Sequence, residues 1–314
     1  SVKGFLRVPT TRRLTGFLSR SDMSLWEAIG RDISAVTGNT GEMAQNRSVS
    51  GGCINETVRA HFGDHEYFVK LNEAGRIGMF DAEALGLQEI IDSGAVRAPL
   101  PVCRGKHGNR SYLVLEYLPL GGRGSHDELG RALARMHENT RDVFGWEHDN
   151  TIGSTPQINS TGKDWVGFWR EQRLGYQLQL AERNGYGGSL QERGGLLLEE
   201  FQHLFEGYLP AASLLHGDLW SGNYSFTRAG EPVIYDPAVY FGDRETDIAM
   251  SELFGGFGHS FYAAYREAWP LDAGYPVRRT LYNLYHILNH LNLFGGGYLS
   301  QAQGMIDTLL GELR

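Results

Sequence analysis

Apolar and polar positions along the chain divide it into a strand-rich first part and a helix-rich second part. A helix is predicted from about Ser24 to Thr37, with Ser24 and Glu27 forming a capping box at its start and Gly38 ending it. Alternating positions then predict strands at 42–49, 53–62, 65–71, 100–103 and 111–116. A helix over 80–91 lies between the third and fourth strands. The pattern predicts a small antiparallel sheet with a helix packed on it.

From residue 120 onward the apolar positions recur mainly at helical spacing. Helices are predicted at about 125–139, 163–183, 196–209, 245–254, 261–269, 277–293 and 299–313. A loop is expected over 145–160, and a strand-and-loop hairpin separates the third and fourth of these helices. Gly121-Gly122-Arg123-Gly124 is typical of a linker. The sequence therefore predicts an α+β protein with a sheet-containing part at 23–119 and a mainly helical part at 120–314.

The first 22 residues differ from the rest in charge. They carry five basic residues and no acidic residue before Asp22, a composition found in organelle transit segments. An expression tag or an upstream start before Met23 is the favoured interpretation, because the first capped helix begins at Ser24.

The composition of the 314 residues is that of a globular enzyme, with 41% hydrophobic and 21% charged residues. A net charge of -8 argues against a nucleic-acid or anionic-membrane partner. The longest apolar runs fall short of the roughly 20 residues that span a bilayer. Two cysteines, Cys53 and Cys103, are too few for a disulfide framework, which favours a reduced, cytoplasmic setting.

The strongest chemical signal is the run from His216 to Asn223, followed by Asp236. The spacing His-x-Asp-x-x-x-x-Asn is that of the catalytic loop of protein kinases, with Gly217 where they usually carry Arg. Phosphoryl transfer needs one carboxylate that orients the attacking hydroxyl, here Asp218. It also needs oxygen ligands for the magnesium ions that neutralise the triphosphate, here Asn223 and Asp236.

Lysine is rare in this chain, and one of the four lysines occupies an apolar strand. Phe68-Val69-Lys70-Leu71 places Lys70 where its ammonium group suits the α- and β-phosphate oxygens of a nucleotide. Glu83 on the next helix is its expected partner, and Glu89, about two turns farther along, is the second choice. An edge-strand lysine that promotes solubility is the alternative.

A phosphate-covering turn is expected between the first two strands. The chain has no Gly-x-x-x-x-Gly-Lys-Ser/Thr motif, whereas Gly51, Gly52 and Cys53 offer backbone amides at that turn. Cys53 is also a candidate for redox regulation, through oxidation or a disulfide between two chains that lowers nucleotide binding. An inert, small apolar side chain is the alternative for Cys53.

Three further residues near the catalytic loop have candidate roles. Trp220 could stack on a sugar or on an apolar stem of the acceptor, or simply pack. His216 is expected to hold the loop rather than react. Asp247 is expected to brace the loop from the following helix, or to lie at a solvated helix start.

These residues and several other motifs together resemble the fructosamine-3-kinase and ketosamine-kinase family from about Leu25 to the C-terminus. The motifs include Gly51 to Glu56, Ile152 to Gln157 with Asn159, Arg173-Leu174 and Asp236 to Met250. The Trp-Ser-Gly-Asn ending of the catalytic loop and Asp-Pro-Ala in place of Asp-Phe-Gly are the most specific. The resemblance implies a two-lobed protein-kinase-like fold, shared with aminoglycoside phosphotransferases. The nucleotide-binding lobe would be 23–119, and the catalytic, acceptor-binding lobe would be 120–314.

The resemblance also implies an activity and a set of roles. It implies ATP and Mg²⁺ as cofactors and phosphorylation of the 3-hydroxyl of ketosamines, a step in protein deglycation. Lys70 and Glu83 would be the nucleotide ion pair, Asp218 the catalytic base, and Asn223 and Asp236 the metal ligands. The backbone at Glu116 and Tyr117 would meet adenine. The acceptor pocket would be lined by Trp220 and by the loop carrying Gln157 and Asn159.

Two alternatives stay open at this point. An enzyme of the same fold could act on another alcohol, such as an aminoglycoside or choline. A nucleotide-binding regulator without catalysis is the other, although intact Asp218, Asn223 and Lys70 argue against it. The preferred ketosamine, the choice between a glycated protein lysine and a free amine, and the state as a monomer or a redox-sensitive homodimer are not predicted.

Overall fold

The computed structural model describes residues 23–48 and 54–314. Its first part is a five-stranded antiparallel sheet with two helices, in the spatial order β1-β2-β3-β5-β4. The elements are α1 (Leu25–Thr37), β1 (Met43–Ser48), β2 (Glu56–Phe62), β3 (His65–Glu73), α2 (Ile77–Asp92), β4 (Pro101–His107) and β5 (Arg110–Glu116). The predicted sheet is confirmed, and the predicted N-terminal extension at 1–22 lies outside the described residues.

Helix α1 begins and ends at the predicted residues. The Ser24 hydroxyl accepts from the Glu27 N–H, the Glu27 carboxylate accepts from the Ser24 N–H, and Gly38 ends the helix at φ 76°. Its buried residues Ile29 and Ile33 pack on one face of the sheet. The capping box thus fixes the register of the helix that covers this face.

Strand β3 presents opposite faces to two different cores. Tyr67, Val69 and Leu71 point into the small apolar cluster beneath α1, whereas Phe68 packs against the larger core on the other side. Lys70 therefore lies on the face that α2 covers. The period of two residues places the lysine next to that helix.

The second part of the chain is mainly helical. Its helices are α3 (His126–His137), α4 (Trp165–Trp169), α5 (Gly175–Arg183), α6 (Ser189–Glu200), α7 (Glu245–Leu253), α8 (His259–Ala268), α9 (Tyr275–Phe294) and α10 (Leu299–Glu312). A π-helical turn over Arg170–Leu174 joins α4 to α5. Its short strands are β6 (Thr140–Arg141), β7 (Asn150–Ile152), β8 (Thr155–Gln157), β9 (Ala212–Leu215), β10 (Tyr224–Phe226), β11 (Pro232–Ile234) and β12 (Tyr240–Gly242).

Two predictions for this part differ from the structure. The helix expected over 196–209 instead runs from Ser189 to Glu200, continues as a 3₁₀ turn to Phe205, and leaves Leu209 92% exposed. Gly194 and Gly195 weaken the helical signal in the sequence, and packing of Leu190 and Leu197 into the core overrides it. The loop expected over 145–160 contains the antiparallel hairpin β7–β8.

The larger apolar core joins the two parts of the chain. It includes Phe80, Leu87 and Ile90 of α2 together with residues from α3 to α10. The division at residues 119 and 120 therefore stays a prediction, although the sheet and the helices are distinct layers. None of the helices within the described residues is long and apolar enough to cross a membrane.

Candidate active site

A cavity of about 630 Å³ lies between the sheet and the helical part. Strand β3 and helix α2 line one side of it, and the loops after β9 and β11 line the other. The chemistry-bearing residues in its wall are Lys70, Glu83, Asp218, Asn223 and Asp236. Residues separated by up to 166 positions in the sequence thus meet at one place.

Lys70 bridges two carboxylates in this wall. Its side chain is 5% exposed, and its Nζ lies 2.5 Å from Glu83 Oε1 and 2.5 Å from Asp236 Oδ1. Burial by itself lowers the pKa of Lys70, but the charges of Asp236 and Glu83 outweigh it and raise that pKa above its ordinary value. Lys70 is therefore a fixed cation inside the cavity.

Glu89, the second choice as the partner of Lys70, has a different role. Its Oε1 accepts hydrogen bonds from Arg141 Nη2 at 2.9 Å and from Trp146 Nε1 at 3.2 Å. Both donors belong to the helical part, so Glu89 attaches α2 to that part. The two carboxylates of α2 thus separate into one that faces the cavity and one that anchors the helix.

Asp236 follows β11 in a strained conformation. It has φ 54°, the one positive φ at a non-glycine residue among the described residues. Such strain costs of order 1–3 kcal/mol and persists where the surroundings hold it. The backbone is fixed just before it, where the Tyr235 N–H donates to Asn223 O at 3.0 Å, and just after it, where the Ala238 N–H donates to His216 O at 2.8 Å.

The catalytic loop rests on a buried aspartate of α7. Asp247 accepts hydrogen bonds from the backbone N–H groups of His216 at 2.8 Å and Gly217 at 2.9 Å, and it lies 2.9 Å from His137 Nε2. Burial alone would raise the pKa of Asp247, but His137, His216 and the Gly217 N–H lower it below its ordinary value. An ionised carboxylate therefore braces the loop, which is the role expected for Asp247.

Gly217 meets a steric requirement as well. It has φ 85°, and a Cβ at this position would lie 2.0 Å from the carbonyl oxygen of Ala238. No L-residue with a side chain fits there without moving the backbone that follows Asp236. This contact explains why glycine occupies the position where protein kinases usually carry arginine.

His216 holds the loop in its neutral form. Its Nδ1 accepts from the Asp218 N–H at 3.2 Å, so its Nε2 carries the proton and donates to Tyr235 O at 2.8 Å. Burial lowers the pKa of His216 below its ordinary value. The histidine therefore links the loop to β11.

Asp218 lies at the cavity wall with a pKa raised to about 7. The main cause is burial, followed by the charge of Asp236, while a hydrogen bond from Asn223 acts in the opposite direction. Asn223 Nδ2 donates to Asp218 O at 2.8 Å and to Asp218 Oδ2 at 3.3 Å. A carboxylate with this pKa can receive a proton near neutral pH.

The donor set fits a magnesium ion. The Nδ2 of Asn223 donates to Asp218, which leaves its Oδ1 as a ligand for a cation. Lys70 contacts Oδ1 of Asp236, which leaves the Oδ2 of Asp236 as a second ligand. Mg²⁺ takes oxygen ligands, usually one or two from the protein with phosphates and water completing the shell. No group of three or more His, Cys, Asp or Glu that could hold a metal occurs within 23–48 and 54–314, so an all-protein cage is absent there.

Comparison with known proteins identifies the family. The family model described as fructosamine kinase matches residues 25–312. The chain is 48% identical over 289 residues to a probable ketoamine kinase of Synechocystis sp., covering 91% of this chain and 97% of the relative. The chain belongs to the fructosamine kinase family.

Two further comparisons agree with this assignment. The chain is 46% identical to the chloroplastic protein-ribulosamine 3-kinase of Arabidopsis thaliana, over 90% of this chain and 88% of that protein. A solved structure from Haemophilus somnus, provisionally named a fructosamine-3-kinase, superposes with a TM-score of 0.84 at 29% identity, over 91% and 97% of the two chains. This member of the fructosamine kinase family is thus a kinase with the two-lobed protein-kinase-like fold.

Trp220 lies where an acceptor could meet it. Its ring is 39% exposed, lines the cavity, and contacts the ring of Phe254 edge to face at 6.5 Å between centroids. A Cβ at Gly222 would come within 2.3 Å of the Trp220 ring, so the glycine lets the indole lie flat on the loop. The expectation that Trp220 binds the acceptor stays a prediction.

Gln157 and Asn159 do not line the cavity as expected. They are 1% and 0% exposed, and their side-chain amides bond to protein groups behind the cavity wall. Asn150, Thr151 and Gly153 of the same hairpin line the cavity instead. The hairpin that carries Gln157 thus reaches the cavity through other residues, because the packing of a two-stranded hairpin decides which of its side chains face the cavity.

The remaining predicted site residues lie farther from the cavity or outside the described residues. The Glu116 carboxylate accepts from Arg97 and from the Leu100 N–H, and the guanidinium of Arg59 lies 4.3 Å from the centre of the Tyr117 ring. Contact between this segment and adenine stays a prediction. The phosphate-covering turn was predicted at Gly51, Gly52 and Cys53, and these three residues lie outside the described part of the chain.

Sequence reasoning missed several residues that support the site. His137 lies at the end of α3 and contacts both Asp247 and the Tyr265 hydroxyl, at 2.9 and 2.7 Å. A single histidine at a helix end carries no signal in the sequence. Asn150 has a weak signal, as a polar residue that precedes a short alternating run.

Proposed function

We propose that this enzyme transfers the γ-phosphoryl group of ATP to the 3-hydroxyl of a ketosamine in a magnesium-dependent reaction. The convergence of Lys70, Asp218, Asn223 and Asp236 on one cavity supports the reaction type. The names of the relatives, ketoamine kinase and protein-ribulosamine 3-kinase, support the acceptor class. If the ketosamine is carried on a protein lysine, the reaction is a step of protein deglycation. We expect the enzyme to act in the cytoplasm, the setting that the cysteine content favours.

On the nucleotide side, Lys70 would donate to the α- and β-phosphate oxygens. Glu83 Oε1 holds the ammonium group in place at a distance of 2.5 Å. Asn223 Oδ1 and the Asp236 carboxylate would hold Mg²⁺, which supplies charge neutralisation on the triphosphate. Phosphoryl transfer depends mainly on such positioning and charge.

On the acceptor side, Asp218 would orient the hydroxyl toward the γ-phosphorus. The bond from the acceptor oxygen to the γ-phosphorus forms, the bond from that phosphorus to the β–γ bridging oxygen breaks, and ADP leaves. The hydroxyl proton passes to Asp218, whose pKa of about 7 permits it to accept. Trp220 would pack against the sugar or against the stem of the amine.

The test is transfer from Mg²⁺-ATP to fructosyl-, ribulosyl- and erythrulosyl-lysine, with an aminoglycoside and choline as competing acceptors. We expect transfer to at least one ketosamine and a loss of about 10²-fold or more in Asp218→Asn, because a positioned base contributes that much. Asp64→Asn, in the exposed turn between β2 and β3, is the matched control and should keep full activity.

The Asp218→Asn protein should still bind nucleotide and remain folded. Since the folded-state pKa of Asp218 is raised, its ionisation costs stability as pH rises from about 4 toward about 7, and the amide avoids this cost. Transfer only to an aminoglycoside or choline would contradict the proposed acceptor. Undiminished transfer by Asp218→Asn would contradict the proposed base.

A further inference from the structure

A relay of buried amides connects the hairpin β7–β8 to the backbone that follows Asp236. Gln157 Nε2 donates to Ala238 O at 3.2 Å, and Asn150 Nδ2 donates to Val239 O at 2.7 Å. Gln157 Nε2 also donates to Asn150 Oδ1 at 3.0 Å. The hairpin thus binds two successive carbonyl groups, at Ala238 and Val239, which follow the strained Asp236 after Pro237.

The direction of each amide in the relay is determined by its partners. The guanidinium group of Arg173 can only donate hydrogen bonds. Its Nη2 lies 2.7 Å from Asn159 Oδ1, so this oxygen is the acceptor. Asn159 Nδ2 must then donate, and it meets Asn150 Oδ1 at 2.9 Å. Asn150 in turn has only its Nδ2 left for Val239 O. A positive charge at one end therefore orients every amide up to the carbonyl groups near Asp236.

Two elements of the helical part support the relay. The Tyr285 hydroxyl on α9 donates to Gln157 Oε1 at 2.7 Å, which points Gln157 Nε2 toward Ala238. The π-helical turn carries Arg173 inward, where its guanidinium lies 4.1 Å from the centre of the Tyr240 ring. Gln157, Asn159 and Arg173 are each at most 1% exposed, so an unmade bond here would leave a buried polar group unsatisfied.

We propose that Gln157 and Asn150 are positioning residues that keep Asp236 in its left-handed conformation, ready to hold the metal ion. The proposal rests on the metal role of Asp236 in the proposed function. The backbone is held at Tyr235, directly before Asp236, and at Ala238, which follows Asp236 after Pro237, and the relay binds the carbonyl group of Ala238. The same hairpin lines the cavity through Thr151 and Gly153, so one element contacts both the acceptor side and the metal loop.

The test compares Gln157→Met with Gln191→Met in the full chain. Gln191 is a matched control because its Nε2 also donates two hydrogen bonds, in this case to the backbone carbonyls of Leu178 and Tyr186 at 2.9 Å, and it does not line the cavity. Calorimetric titration with a non-hydrolysable ATP analogue measures nucleotide affinity with Mg²⁺ and with EDTA. A positioning role predicts that Gln157→Met lowers the affinity in Mg²⁺ about tenfold, the effect of one net hydrogen bond, and leaves that in EDTA nearly unchanged.

Four outcomes would overturn the proposal. Equal losses with and without Mg²⁺ would indicate a general structural defect, and so would a matching loss in Gln191→Met. Unchanged affinity in both conditions would show that the relay does not govern Asp236. No effect of Mg²⁺ on the unsubstituted protein would remove the metal role of Asp236 itself, whereas the acceptor panel tests the reaction separately.

A milder variant covers the case in which Gln157→Met does not fold. Tyr285→Phe removes only the hydroxyl that donates to Gln157 Oε1. It should lower the Mg²⁺-dependent affinity in the same direction by about two- to threefold, since a weakened bond costs less than a lost one. Unchanged Mg²⁺-dependent affinity in this variant would count against the relay.

Discussion

Asp218 lies in the catalytic loop and Asp247 braces that loop from α7, and the two aspartates have opposite electrostatic surroundings. Asp247 lies near three nitrogen donors, from His216, Gly217 and His137, and its pKa is lowered in spite of burial. Asp218 has one amide donor, and burial with the nearby charge of Asp236 raises its pKa to about 7. The number of donors, rather than burial, decides which aspartate stays charged and which can exchange a proton.

This difference predicts that the two aspartates respond differently to the same substitution. Asp247→Asn replaces an oxygen that accepts a backbone N–H with an NH₂ group that opposes it, and it removes the charge beside His137. We expect a loss of about 3 kcal/mol in the free energy of unfolding, as for a broken buried pair. We also expect kcat to fall about 10²-fold, because the loop moves. Chemical denaturation and steady-state kinetics measure both.

Asp307→Asn is the control for this prediction. It removes an ion pair with Arg193 in which both side chains are partly exposed, and such pairs contribute at most about 1 kcal/mol. If Asp247→Asn lost stability but kept its kcat, Asp247 would support the fold without positioning Asp218.

Gly217 connects the two aspartates, because it directly precedes Asp218 and its N–H bonds to Asp247. A Cβ on Gly217 would lie 2.0 Å from the carbonyl oxygen of Ala238. Gly217→Ala should reduce kcat at least about tenfold, since the new Cβ displaces the loop. It should also destabilise the protein by more than the roughly 1 kcal/mol expected for left-handed strain alone.

Gly94→Ala separates strain from crowding. Gly94 has a similar φ of 66°, and a Cβ there would meet no atom within 4 Å. It should therefore show the strain cost without a change in kcat. Equal effects of the two alanine substitutions on kcat and stability would refute the steric account of Gly217.

The smallest expected effect is on the pH dependence of the reaction. The pKa of Asp218 is raised to about 7, so the carboxyl is protonated below that pH and cannot accept the acceptor proton. The kcat/KM for the acceptor should therefore fall toward about tenfold per pH unit below pH 7. His216 has a lowered pKa and stays neutral over this range, so it does not produce the same change.

Activity recovered at neutral pH after incubation at the lower pH would exclude unfolding as the cause. A kcat/KM that stays flat between about pH 5.5 and 7.5 would contradict a base that must be ionised, and the hydroxyl would then need no proton acceptor of this pKa.

The elements that local patterns specify were predicted well. The capping box at Ser24 and the alternation around Lys70 each depend on residues a few positions apart, and both occur as expected. The predicted bounds of helix α6 were wrong, because two glycines weaken the helical signal of a segment that packing into the core stabilises. Glu83 was correctly preferred to Glu89 as the partner of Lys70, although the anchoring of Glu89 by Arg141 could not be foreseen.

By itself, the sequence determined the family, the sheet-then-helices order, and the residue types of a phosphoryl-transfer site at their kinase-like spacing. Only the tertiary structure decided that Gln157 faces away from the cavity, that Asp247 binds the catalytic loop, and that Asp236 adopts a left-handed conformation. The reason is physical. Caps and alternating patterns arise between neighbours in the chain, whereas these three features depend on hydrogen bonds between distant residues, such as Gly217 and Asp247, 30 positions apart, and Gln157 and Ala238, 81 positions apart.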